Sequence, residues 1–165
     1  MTPRLRLGLI AGFATLVIDQ ASKLWLLYVF DLPNRGTVKI TPFFDLYLAW
    51  NIGISFGWLQ SESTLAQYGL MAVKAVAVIA LAIWMARAES KLATAALGLI
   101  IGGAIGNGID RLAYGAVVDF ALFHIQIGGT VYNWYIFNMA DVAIVAGVAG
   151  LLYDSFFGAP AAKAP

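Results

Sequence analysis

The chain contains no cysteine, so disulfides, thiolate nucleophiles and sulfur-ligated metals are excluded. It holds one histidine, His124, whereas catalytic zinc usually draws three protein ligands, largely from histidine. No metal or other cofactor is therefore expected. Charge is scarce as well. Only 12% of residues are Asp, Glu, Lys or Arg, against about 25% in an ordinary soluble domain. With a formal net charge of +1 there is no broad basic face, and no nucleic-acid partner is expected. What fills the chain instead is apolar: 61% of its 165 residues are hydrophobic. Such a composition belongs in a membrane. At roughly 20 apolar residues per span, the length holds about four helices and no separate soluble domain.

Four spans are expected, at about 5–30, 65–85, 92–109 and 138–157. The opening Met-Thr-Pro-Arg-Leu-Arg and its apolar run are similar to a cleavable leader. However, Asp19 and Lys23 interrupt the run, it continues to Phe30, and no Ala-x-Ala follows, so it is read as a permanent first span. Leu32 to Gly36 is a turn signal. Thr37 to Leu59 and Val117 to Ile136 are rich in Val, Ile, Phe, Tyr and Trp, a composition that suggests strands at the membrane surface. Ser61 or Ser63 is the expected cap of span two, and Arg87, Glu89 and Lys91 end it. In span three Gly98, Gly102 and Gly106 recur every fourth residue. They form a flat strip suited to close helix approach, which packing alone would explain. The tail 158–165 is expected to be disordered.

Lys and Arg in short loops favour the cytoplasm. Arg4, Arg6, Arg87 and Lys91 therefore place both termini inside and the two long segments outside. This topology gathers Asn51, Asp110, Arg111, Asp119, Asn138 and Asp141 at one outer boundary, where polar groups in so apolar a chain point to function.

Asp119 and Asp141 are the strongest candidates. Two adjacent carboxylates cannot both ionise cheaply and so share a proton, leaving one acid and one base. Such a pair activates water against a peptide carbonyl without a metal or covalent intermediate. The alternatives are an N-cap at Asn138 with Asp141 as a first-turn acid, and a solvated strand residue at Asp119. Asp19 and Lys23 are spaced i, i+4 in the order that favours an ion pair. Either charge alone near the bilayer centre would cost roughly 2.5–3.5 kcal/mol. The pair serves either as a tie between helices or as a contact to substrate. Asp110 and Arg111 point to different faces, and Arg111 either neutralises a neighbour or holds a substrate carbonyl. Lys74 is read as a snorkelling or paired residue and His124 as a surface residue, neither with a role. Gly53-Ile-Ser-Phe-Gly57 matches the Gly-x-Ser-x-Gly elbow by letter but has no α/β sheet to sit in. The order and spacing of Tyr153-Asp154 and Gly106-x-Gly108-x-Asp110 rule out a presenilin-type arrangement.

Taken in order, Asp19-Gln20-x-x-Lys23, Asn51-x-Gly53 with Phe56-Gly57, Gly102-Gly103-Ala-x-Gly106-Asn107-x-x-Asp110-Arg111, Val117-Val-Asp119-Phe120 and Phe137-Asn138-x-Ala140-Asp141 resemble the motifs of lipoprotein signal peptidase, the type II signal peptidase of bacteria. The resemblance implies a single integral membrane peptidase domain. It has four transmembrane helices, a small extracytoplasmic β-cradle and a loop over the site. It also implies an aspartyl endopeptidase with Asp119 and Asp141 as catalytic residues, supported by Asn51, Gly53, Asn107, Arg111, Asn138, Asp19 and Lys23. The implied substrate is a prolipoprotein already carrying diacylglycerol, cut before the lipidated cysteine. Membrane lipid is an implied partner, and the cyclic peptide globomycin an implied inhibitor. A monomer in the bacterial inner membrane is expected, with its site near the periplasmic face. Which aspartate is base stays open at this point. The rivals are a small transporter, which needs ionisable groups at several depths, and a noncatalytic scaffold.

Overall fold

The computed structural model describes residues 1–52 and 64–158, without the side chains of 64–68 and 70. Gly53, the candidate caps Ser61 and Ser63, the 53–57 elbow motif and the tail from 159 lie outside the described residues. The element order is α1 (Pro3–Leu24), a π-helical turn (Trp25–Val29), α2 (Leu32–Arg35), β1 (Val38–Thr41), β2 (Phe44–Asn51), α3 (Thr64–Arg87), α4 (Lys91–Tyr114), β3 (Val117–Ile127), β4 (Thr130–Asn133) and α5 (Met139–Phe157). Among the described residues three helices are long and apolar enough to cross a membrane: Pro3–Val29, Lys91–Tyr114 and Met139–Phe157.

The helix ends follow local chemistry. Thr2 caps α1 through Leu5 N, with Pro3 in the first turn where its missing N–H costs nothing. Ser90 caps α4 by accepting from Leu92 N and Ala93 N. This helix runs to Tyr114, five residues past the expected end at 109. The charged pair Asp110-Arg111 reads as a boundary, but Asp110 is buried and partnered inside the bundle. Gly115, with φ +73°, makes the stop instead, in a backbone conformation that glycine adopts freely.

Helix α4 lies at the centre, packed against α1, α3 and α5. Its glycine strip faces α1. A Cβ on Gly102 would collide with the carbonyl oxygen of Gly12, and one on Gly98 with that of Gly8, so the two backbones touch directly.

The sheet is antiparallel in the order β1-β2-β3-β4. Opposite β2, the register sets Asn51 against Val117 and Ala49 against Asp119. One face packs on the π-helical turn that follows α1 and on α2, where Leu26 and Leu32 meet Phe120 and Ala121. Phe137 then bridges to Ala121, donating at 3.0 Å and accepting at 2.8 Å. That bridge brings the start of α5 alongside the buried beginning of β3.

Candidate active site

Four elements deliver the polar cluster. The last residue of β2 supplies Asn51, α4 supplies Asn107 and Arg111, β3 supplies Asp119, and the first turn of α5 supplies Asn138 and Asp141. Residues Val117 to Ala121 are all buried, Asp119 at 3% exposure among them. Asp119 accepts from the Asn51 side chain at 3.1 Å and from Asn138 Nδ2 at 2.6 Å. Burial pushes its carboxyl up to about 6; the Asn51 hydrogen bond opposes the shift and the charge of Asp141 adds to it.

Asp141 is held by α5's own start. Asn138 Oδ1 accepts from Asp141 N at 3.0 Å, and Asp141 Oδ2 accepts from Asn138 N at 3.2 Å, a reciprocal capping box. Asn107 Nδ2 donates to the other Asp141 oxygen at 2.9 Å. The helix cap expected as an alternative role for Asn138 is therefore present, and the same residue also holds Asp119.

Beneath these carboxylates lies a sealed ionic tie. Lys23 Nζ stands 2.8 Å from Asp19 and 2.7 Å from Asp110, with all three side chains at most 2% exposed. Asp19 also accepts from Ala140 N at 2.9 Å, and Asp110 from Val118 N at 3.1 Å. Gln20 closes the group by donating to Asp110 at 2.9 Å and to Gly106 O at 3.1 Å. The lysine thus joins α1, α4, α5 and β3, and the tie between helices expected for Asp19 and Lys23 is the role that the geometry displays. Its third contact reaches the site above, where Lys23 Nζ donates to Asn107 Oδ1 at 3.0 Å. An ammonium can only donate, so Asn107 must turn its oxygen to Lys23 and its amide nitrogen to Asp141.

Asp119 and Asp141 line a single cavity of about 480 Å³. Asn51, Asn107, Arg111 and Lys74 share its polar wall, and Val78, Leu81, Ile144 and Val145 its apolar one. That is the size and composition of a pocket for a mostly apolar ligand held by a few polar groups.

A family model described as signal peptidase (SPase) II matches residues 11–157. The chain belongs to the signal peptidase II family. It is 67% identical to a lipoprotein signal peptidase of Rhodopseudomonas palustris and 66% identical to that of Nitrobacter hamburgensis. Both matches run over 165 residues and cover 100% of each chain. A bacterial membrane enzyme solved in meso has the same fold, with a TM-score of 0.73 over 96% of this chain and 94% of its own, at 24% identity.

Of the residues expected at the site, Asn51, Asn107, Arg111, Asp119 and Asp141 line the cavity, Asn138 sits buried between the two acids, and Asp19 and Lys23 lie underneath. Three further residues were given no role from the sequence. Tyr135 lines the cavity with no sequence signal. Gln20, marked in the sequence only as part of the Asp19-Gln20-x-x-Lys23 motif, stands in the ionic tie. Lys74, a lone cation in an apolar helix, faces the cavity. His124 is not a free surface residue, because its imidazole is half-buried, 3.2 Å from the buried Asp45 carboxylate.

Proposed function

We propose that the chain is an aspartyl endopeptidase of the bacterial inner membrane. It would remove signal peptides from prolipoproteins by cutting before a cysteine that already carries diacylglycerol. The observation that carries this reading is the meeting of Asp119 and Asp141, two carboxylates from distant parts of the chain, in one largely apolar cavity where Asn138 touches both.

The roles divide by surroundings. Asp119, pushed up to about 6 chiefly by burial, keeps the shared proton and acts as the acid. Asp141 stands in the first turn of α5, where the free N–H groups and the helix dipole complement negative charge, and acts as the base. Asp141 takes a proton from water, the hydroxyl attacks the peptide carbonyl carbon, and Asp119 protonates the carbonyl oxygen; Asp141 then gives its proton to the departing nitrogen while Asp119 recovers its own from the gem-diol as the C–N bond breaks. No metal takes part. Arg111 and Asn51 orient the peptide, and the apolar wall receives the signal helix and acyl chains. Gly53, matched by motif, is assigned with them to substrate contact.

In this reading α3 is the fourth span. Both termini face the cytoplasm, the sheet forms a cradle at the periplasmic face, and the protein works as a monomer. A globomycin-type cyclic peptide would occupy the same cavity and compete with substrate. The test is cleavage by the purified protein, reconstituted in lipid, of a prolipoprotein with and without the diacylglyceryl group. Cleavage of the lipidated form alone, immediately before its cysteine, is expected; equal cleavage of both forms would overturn the substrate assignment.

A further inference from the structure

Lys74 sits where a membrane helix rarely keeps a charge. The ordinary explanation is a lysine that snorkels along lipid to water, and its position on α3 argues against that. Val73, Val76 and Ile79 are 67%, 67% and 60% exposed and form the outward face. Lys74 lies on the other face with Ala77, Val78 and Leu81, at helical spacings of three, four and seven, and all four line the catalytic cavity. Among the described residues no hydrogen bond or ion pair holds its ammonium. It acts on Arg111 and Asp141 through charge alone.

Two cations stand on the cavity wall beside the aspartates, Arg111 and Lys74. Arg111 feels the carboxylates of Asp119, Asp110 and Asp141, whereas no hydrogen-bonded partner holds Lys74 among the described residues. An ammonium held in that way against apolar walls is costly, so Lys74 is matched to an added anion. Resting on the peptidase reading above, the reaction supplies one. Water adds HO to the carbonyl carbon and H to the nitrogen as the C–N bond breaks. The freed cysteine amine takes up a proton, and the new carboxyl group at the end of the signal peptide loses one.

We infer that Lys74, with Arg111, binds the C-terminal carboxylate that cleavage creates on the released signal peptide. Lys74 is thus a product-binding residue, and the leaving peptide is retained by its own new charge.

The test uses the full-length protein in lipid nanodiscs and a signal-peptide fragment ending just before the lipidated cysteine. The fragment is made with a C-terminal carboxylate or a carboxamide, and binding is read by displacement of a fluorescent fragment, separately from cleavage. A charge-assisted contact gives the native protein about a tenfold or greater preference for the carboxylate. Lys74→Met loses most of that preference and Lys74→Arg keeps it. If the Met variant does not assemble, Lys74→Gln replaces it. An unchanged preference in the neutral variant, or none in the native protein, overturns the assignment of Lys74. A native protein that binds neither fragment and cleaves no lipidated substrate overturns the peptidase reading instead.

Discussion

Asn138 donates to Asp119 across 2.6 Å while its side-chain oxygen caps the helix that carries Asp141. One amide therefore serves as helix cap and as the link between two acids, so the cap does not compete with a role in the site. Because Asn138 is fully buried and also donates to Asn107 at 3.0 Å, its position is fixed from three sides. The separation of the two carboxylates is consequently set by packing, as a reaction that depends on placement requires.

The first prediction concerns pH. The folded protein binds the Asp119 proton more tightly, at about 6 against an ordinary 3.8. The stability this contributes is fully present below 3.8 and is lost as pH rises through about 6. A gap of that size corresponds to about 3 kcal/mol. Chemical unfolding at pH 4 and pH 7 should show the loss in the native protein and less of it in Asp119→Asn. Activity has its own signature. If protonated Asp119 is the acid, kcat/KM falls along a limb centred near 6. Asn51→Ala removes a hydrogen bond that favours the anion, so it should move that limb to higher pH; a limb that stays put or moves down contradicts the assignment.

The second prediction concerns the ionic tie. Lys23→Met leaves Asp19 and Asp110 facing each other in a sealed interior with no cation between them. Removing one partner of a buried ion pair typically costs about 3–5 kcal/mol. The variant should unfold well below the native temperature and lose activity with it, because Asn107 loses one of the two donors that orient its side-chain oxygen. Native-like unfolding would mean that the tie is not structural.

How much of this was open to reading from the chain differs by residue. Hydropathy and length marked the helices, and composition marked the strands, because both signals are local. The Asp19–Lys23 pair was legible for the same reason, being one helical turn apart. Its second carboxylate, Asp110, was not, because that contact depends on how α1 and α4 are rotated about each other. The same limit hid the inward face of Lys74, since α3 is apolar all round and its sequence does not say which side meets the bundle. His124 was misjudged because its partner Asp45 comes from the neighbouring strand through the register of β2 on β3. The meeting of Asp119 and Asp141 was anticipated from topology, whereas the link through Asn138 needed the bridge at Phe137.

The third prediction separates glycines that pack from one that does not. Gly102→Ala places a methyl group against the carbonyl of Gly12 and the Thr15 side chain, an overpacking that costs roughly 1–3 kcal/mol. Gly108 is in the same helix, and a methyl group there would meet nothing within 4 Å. Gly108→Ala should therefore leave stability unchanged or raise it by up to about 1 kcal/mol. Thermal unfolding of the two variants beside the native protein checks the contrast, and equal behaviour would contradict the close packing of α1 on α4.

The most direct measurement for the account as a whole is cleavage of a lipidated prolipoprotein by the native protein, Asp119→Asn and Asp141→Asn, each confirmed to unfold as a cooperative unit. Both variants should lose at least about a hundredfold in kcat, the scale of a missing general acid or base, while a metal chelator leaves the native rate unchanged. Near-native cleavage by either variant would contradict the paired-aspartate mechanism.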